Sequence, residues 1–289
     1  MEFPQQTPLF HATNRERYER QSLIKQIEDL TGRHLIVYVA NFNHPMNMIR
    51  RDDVVPFSEI CFDIPTNSKI DLMLHSPGGD PNAAEQIVNI LLSKSSDIRV
   101  IVPLSAKSAA TMISLVADEI LMSDSSELGP IDPQIPMSTF QGIIYRPAKA
   151  LLQGLEVIKN EVSNNGNVLN PAYYPVLQGI DPALIYFCEM TLKHSKNLAQ
   201  KWLQRSMCKG DPEKAQFISE QLVDVDKYPS HGAVINWMEA QNLGLNVKYL
   251  PPRDEFWEAI WRLFCKYDVD IKNNKLVKVF EGRRASASI

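Results

Sequence analysis

The chain has 289 residues, 44% hydrophobic and 22% charged, with a formal net charge of −4. That length suits one large α/β domain or a domain with an appendage, and the composition is ordinary for a soluble globular chain. A net negative chain without a Lys/Arg-rich tract offers no field to draw nucleic acid, and no apolar run approaches the roughly 18 residues of a membrane span.

Residues 1–10 hold Glu2, Pro4 and Pro8 and no apolar core, so no signal peptide is expected there and the cytoplasm is the default compartment. Residues 14–30 predict a helix, because Leu23, Ile27 and Leu30 recur at spacings of four and three and Gly32 then stops it. Residues 34–40 are a β-branched run that predicts a buried strand. A weaker helical or coil stretch follows to Asp63.

From Lys69 the pattern alternates. Residues 70–74 predict a strand, and Ser76-Pro-Gly-Gly-Asp80 breaks it. Residues 82–92 predict a helix with Ala83, Ile87, Ile90 and Leu91 on one face. A strand at 97–103, a helix at 109–117 and a short strand at 119–122 complete a parallel arrangement with right-handed crossovers. After Pro136 long helices are expected, at 147–160, 182–207, 211–222 and 234–242. A last helix, 253–267, puts Trp257, Ile260, Trp261 and Phe264 on one face, which points to core packing or a subunit interface. The end, 282–289, is small and polar and reads as a flexible tail. Cys61, Cys188, Cys208 and Cys265 are widely separated, without a CxxC pair, and read as buried free thiols. No metal site is indicated and no cofactor is called for.

Chemistry concentrates at Ser108, where a buried strand gives way to a helix. The helix start places partial positive charge and unpaired amides beside that hydroxyl. Ala106, Ala109 and Ala110 leave room for a substrate backbone. The Gly78–Gly79 pair can turn amides outward to hold an oxyanion, with the Ala109 amide as a further donor; one such donor is worth about 3–4 kcal/mol in a transition state. Taken singly, each signal has a plain structural meaning. A serine at a helix start is most often an N-cap, and Gly-Gly is most often only a turn.

Together, Leu74-His-Ser-Pro-Gly-Gly-Asp80, Ser105-Ala-Lys-Ser-Ala-Ala-Thr111, Ala117-Asp-Glu-Ile-Leu-Met-Ser123 and Glu127-Leu-Gly-Pro-Ile-Asp-Pro-Gln134 resemble the Clp-protease and crotonase superfamily. Within it the chain is similar to the serine dehydrogenase proteinase family, relatives of signal peptide peptidase A. Ser230-His-Gly232 and Leu243-Gly-Leu-Asn-Val-Lys-Tyr-Leu250 fit the same family. The resemblance implies an α/β fold, a ClpP/crotonase-like spiral of ββα units with a helical C-terminal extension. It also implies Ser108 as nucleophile, Gly78, Gly79 and Ala109 around the oxyanion, and a homo-oligomer acting on a protein or peptide substrate.

The base is where the sequence departs from the Clp pattern. Ile131-Asp132-Pro133 stands where Clp-type peptidases carry a histidine, so Asp132 is expected to order the loop beside the site. Members resembling signal peptide peptidase A use a lysine. Lys149, in Arg146-Pro-Ala-Lys149, is similar to the lysine that begins a helix after the active-site strand in Ser-Lys members. Burial and the positive end of its helix would favour the free amine. Lys159, Lys107 and His75 are weaker candidates, and Lys107 is expected to point away from its neighbour Ser108. His75 is expected to be packed or to line the site, and His231 to hold a turn.

The leading expectation is therefore a Ser-Lys peptidase working through an acyl-enzyme. The alternatives are a catalytically inactive oligomeric scaffold and a crotonase-like acyl-CoA enzyme. The expected divisions are an N-terminal helical segment at 1–33, a Clp-like peptidase domain at 34–250, and a C-terminal helix with its tail at 251–289. A peripheral position at the inner face of the membrane stays open beside the cytoplasmic one.

Overall fold

Runs of β-branched residues alternating with Asp-Pro helix starts set the order of elements in this chain, for which a computed structural model describes residues 7–139, 142–178 and 180–289. Helices α1 (Pro8–Thr13) and α2 (Arg15–Thr31) lead into strand β1 (His34–Ala40), helix α3 (Val54–Cys61), strand β2 (Lys69–His75), helix α4 (Pro81–Lys94) and strand β3 (Asp97–Ile101). Next come β4 (Ser105–Ala106), α5 (Ala109–Ser114), β5 (Glu119–Met122), β6 (Glu127–Leu128), β7 (Gln134–Thr139) and β8 (Gly142–Pro147). Helices α6 (Ala148–Asn164), α7 (Tyr174–Gln178), α8 (Pro182–Arg205), α9 (Pro212–Leu222) and α10 (Trp237–Asn242) precede β9 (Val247–Tyr249), α11 (Glu255–Asn274), β10 (Lys278–Glu281) and β11 (Ser286–Ser288).

Three helices begin the same way. Asp80, Asp181 and Asp211 each stand at the N-cap with a proline next, and each carboxylate accepts a backbone N–H of the first turn. The side chain satisfies an otherwise unpaired donor, while proline supplies the φ that the first turn needs.

The chain divides into two compact units, Met1–Leu128 with Val234–Ile289, and Gly129–Ala233. In the first, β11-β10-β1-β2-β3-β5-β9 form one sheet. Strands β1, β2, β3, β5 and β9 run parallel, and β10 lies antiparallel to β1. Strand β1 is almost wholly buried, as a strand covered on both faces must be, and its sequence is correspondingly apolar throughout. Its residues Leu35, Val37 and Val39 pack with Ile24 and Ile27 of α2 and with Trp257, Ile260 and Phe264 of α11. Of the apolar stripe of α11, Trp257, Ile260 and Phe264 are thus core, and Trp261 is exposed.

Short extended segments follow the sheet strands and make a second, smaller layer. Ile49 bridges Gly79, Ser76 bridges Ala106, β4 pairs with β6, and Leu128 bridges Ile235. This repeat of sheet strand, short strand and helix is the ClpP-like α/β organisation.

Three expectations are corrected. Residues after Pro136 do not go straight to helix: β7 and β8 pair antiparallel from Gln134↔Pro147 to Thr139↔Gly142. Gly142, at φ +114, takes a backbone conformation that other residues rarely adopt. The segment 282–289 is not a free tail, since Phe280↔Ala287 and Glu281↔Ser286 pair β11 onto β10. Cys265 is exposed, whereas Cys61, Cys188 and Cys208 are buried. The Gly129–Ala233 unit is built on β7, β8 and the long helices, around an apolar nucleus of Ile135, Ala148 and Cys188.

Candidate active site

Strand β2 ends at His75 and the chain turns through Ser76-Pro-Gly-Gly-Asp80. Two backbone bonds tie this turn to the segment before α5: Ser76 N–H donates to Ser105 O at 3.0 Å, and Lys107 N–H donates to Ser76 O at 3.0 Å. Gly78 takes φ +96 and Gly79 φ +150. A Cβ on Gly78 would stand 2.5 Å from Lys107 O and 2.6 Å from Ser108 Cβ, so only glycine lets the turn approach this closely.

Ser108 occupies the N-cap position of α5, yet its side chain makes no cap hydrogen bond. Its backbone sits at φ 52, ψ −120, a region costing a non-glycine residue about 1–3 kcal/mol. The following turn holds it there: Ala110 N–H donates to Lys107 O at 2.8 Å and Met112 N–H to Ser108 O at 3.0 Å. Ser108 is half-buried, and its hydroxyl is left without a cap bond among the described residues. The Gly78 amide donates to Ser76 Oγ at 3.2 Å, whereas the Gly79 and Ala109 amides donate to none of the described residues. An uncapped hydroxyl therefore stands beside a glycine turn and a helix start that still carry unused donors.

Around this centre the charged groups are committed elsewhere. Lys107 is buried, donates to Leu128 O at 3.0 Å and pairs with Glu127 at 3.0 Å. Desolvation pulls its ammonium below the usual lysine range, with Glu127 opposing. Ser105 Oγ donates to the other Glu127 oxygen at 2.7 Å. His75 is packed, stacked on Phe42 with ring centroids 4.4 Å apart and edge-on to Phe264 at 5.0 Å. Burial pushes its pKa down to about 4, against a smaller raising effect of its bond to Ser105.

Within the Gly129–Ala233 unit two polar groupings stand out. Asp132, 2% exposed, places Oδ1 2.8 Å from His231 Nδ1, and Gln134 Nε2 donates to the other Asp132 oxygen. The His231 side chain keeps 31% of its surface open. Lys149, in the first turn of α6, is ion-paired with Asp224. That hydrogen bond is the chief reason the Asp224 carboxyl lies below its usual range. Lys149 is thus half-buried and bound to a carboxylate, where a desolvated free amine was expected. Lys159 is a surface residue paired with Glu156.

The Asp132–His231 pair escaped the sequence reading, which left His231 in a turn. Its members lie 99 residues apart, and no spacing rule joins an Ile-Asp-Pro stretch to a distant Ser-His-Gly. An imidazole whose Nδ1 is fixed by a buried carboxylate has its Nε2 left to accept a proton, the arrangement that orients a general base.

The sequence profile of the ClpP-like SDH-type serine proteinase family matches residues 48–165. Two proteins of Methanocaldococcus jannaschii also align. MJ0137 is 46% identical over 71 residues, 25% of this chain and 25% of its own, and MJ1495 is 27% identical over 189 residues, 65% of this chain and 55% of its own. The chain thus spans about a quarter and about half of these curated relatives. Among solved structures, an alanine mutant of the 1510-N membrane-bound stomatin-specific protease superposes with a TM-score of 0.42 at 18% identity, over 70% of this chain and 75% of that one. A second alanine mutant of that protease, in complex with a substrate peptide, gives 0.33 at 18% identity, over 76% and 94%. The matched stretch, residues 48–165, carries Ile49, the Gly78–Gly79 turn, Ser108, Asp132 and Lys149, and over that stretch this chain is similar to the ClpP-like SDH-type serine proteinases.

Proposed function

We propose that the protein is a serine peptidase with Ser108 as nucleophile. Ser108 Oγ attacks the scissile carbonyl carbon, and the Gly79 and Ala109 amides take the developing oxyanion. The base removes the Ser108 proton and returns it to the leaving amine as the acyl-enzyme forms. Water then attacks the acyl carbon, its proton passing to the same base and on to Ser108 Oγ. The observation that carries this reading is Ser108 itself, strained at φ 52 and uncapped beside two unused amides.

The candidates for the base are His231, held by Asp132, and Lys149. The buried carboxylate beside Nδ1 supports His231, since it orients the ring. Lys149 is supported by its place in the first turn of α6, directly after the β7–β8 pair. Its ion pair with Asp224 weighs against it. Substrates of this class are proteins or peptides. A homo-oligomer is part of the proposal, supported by the exposed apolar side chains Ile143, Tyr145, Tyr186 and Phe187.

The test is hydrolysis of casein or a peptide library by wild type, Ser108→Ala, His231→Ala and Lys149→Ala. Loss in Ser108→Ala supports the nucleophile; loss in His231→Ala with Lys149→Ala active assigns the base to the histidine, and the reverse assigns it to the lysine. Clear heat on titration with coenzyme A, without hydrolysis, would favour the acyl-CoA alternative. Folded wild type inert in both assays would leave the scaffold.

A further inference from the structure

The Gly78–Gly79 turn has no side chain of its own to fix its direction. The backbone of Ile49 holds it: Ile49 N–H donates to Gly78 O at 2.7 Å, and Asp80 N–H donates to Ile49 O at 2.9 Å. Bonds in this strand-like bridge turn Gly78 O and the Asp80 amide toward Ile49 and leave the intervening Gly79 amide facing the other way. Where Ile49 sits therefore decides where the Gly79 amide points.

The segment around Ile49 is clamped by a buried charge pair from the far end of the chain. Lys278 Nζ donates to Met48 O at 2.7 Å and meets Asp53 Oδ1 at 2.7 Å and Oδ2 at 2.9 Å. Asp53 Oδ2 also accepts from Arg50 N–H at 2.9 Å and from Tyr38 OH at 2.7 Å. One bond thus falls on the residue before Ile49 and another on the residue after it. Lys278 is 2% exposed and Asp53 0%. Lys278 lies on β10, opposite Ala40 of β1 and outside the stretch matched by the family profile.

Stability alone is a weak reason for such a pair. Desolvating two charges costs several kcal/mol, and apolar residues of similar volume often replace a buried pair without loss. What apolar residues cannot do is grip Met48 O and the Arg50 amide at fixed positions. We propose that Lys278, with Asp53 and Tyr38, is a positioning group for the oxyanion turn: it sets the height of Ile49 and through it the aim of the Gly79 amide. This role rests on the serine peptidase reading above.

The deciding variant is the doubly apolar Asp53→Leu/Lys278→Met, compared with wild type, Lys278→Arg, Tyr38→Phe and Ser108→Ala. The expected result is a folded protein melting near wild type, kcat lower by about 10- to 100-fold, and KM within about two-fold. A peptide aldehyde, whose hemiacetal oxygen needs the same amides, should bind weaker by a similar factor. Lys278→Arg, which keeps the charge and donors, should recover part of the rate. A folded double variant with wild-type kcat, or one altered in KM alone, overturns the positioning role. Should the double variant not fold, Lys278→Arg decides, since the Tyr38 hydroxyl also bonds Ser76 of the turn itself: lower kcat at unchanged KM and melting supports the role, and wild-type kcat overturns it. Hydrolysis that survives Ser108→Ala overturns the peptidase reading and this inference with it. Hydrolysis lost in Ser108→Ala but intact in the pair variants overturns only the positioning.

Discussion

Asp132 Oδ1 lies 2.8 Å from His231 Nδ1, and the carboxylate is all but closed to solvent. With Gln134 on its second oxygen, Asp132 has no freedom to turn away from the ring. The isosteric Asp132→Asn keeps the shape but presents the wrong partner to Nδ1. Its kcat is expected to fall by roughly 10³- to 10⁴-fold with the circular dichroism unchanged. A kcat within a few-fold of wild type would remove His231 from the mechanism.

Ser108 is strained, and strain leaves a thermodynamic mark. Ser108→Gly is expected to be more stable than Ser108→Ala by about 1 kcal/mol, because only glycine relaxes at φ 52. Both variants should be inactive. Equal urea midpoints for the two would show that no strain is stored at this position.

Gly78 and Gly154 make a controlled contrast. A methyl at Gly78 meets Lys107 O and Ser108 Cβ at 2.5 and 2.6 Å, whereas one at Gly154, within α6, meets nothing within 4 Å. Gly78→Ala is expected to lose at least about 2 kcal/mol of stability and all fluorophosphonate labelling. Gly154→Ala should gain about 0.5–1 kcal/mol and label normally. Denaturant titration with gel labelling reads both.

His75 gives stability a pH dependence of known sign. Its pKa is about 4 when folded, against 6.5 for the free side chain, so above pH 6.5 it is neutral in both states. As pH falls from about 6.5 to 4 the unfolded chain takes up a proton that the folded one refuses, and stability is lost. The total is roughly 3 kcal/mol. His75→Gln should therefore lose less stability than wild type between pH 7 and 4.5. Parallel losses in the two proteins would contradict the assignment.

Much of the fold was legible because its signals are local. The run from His34 to Ala40 has to be buried on both faces, and Asp80-Pro81, Asp181-Pro182 and Asp211-Pro212 announce helix starts by cap chemistry. Ser108 was legible for the same reason, as a serine among alanines where a strand becomes a helix. What was hidden depends on distant partners. Strand β11 exists because β10 offers an edge, and Ser286–Ser288 carry no apolar pattern of their own. The Asp132–His231 and Lys278–Asp53 pairs span 99 and 225 residues. The partner of Lys149, Asp224, lies 75 residues further on, in a stretch with no motif.

The most direct measurement is labelling by a serine-reactive fluorophosphonate, with the modified residue mapped by mass spectrometry of the digested protein. The prediction is one labelled peptide modified at Ser108, absent in Ser108→Ala and present, though formed far more slowly, in His231→Ala. A folded protein that takes up no label, or one still labelled after Ser108→Ala, would contradict Ser108 as the nucleophile.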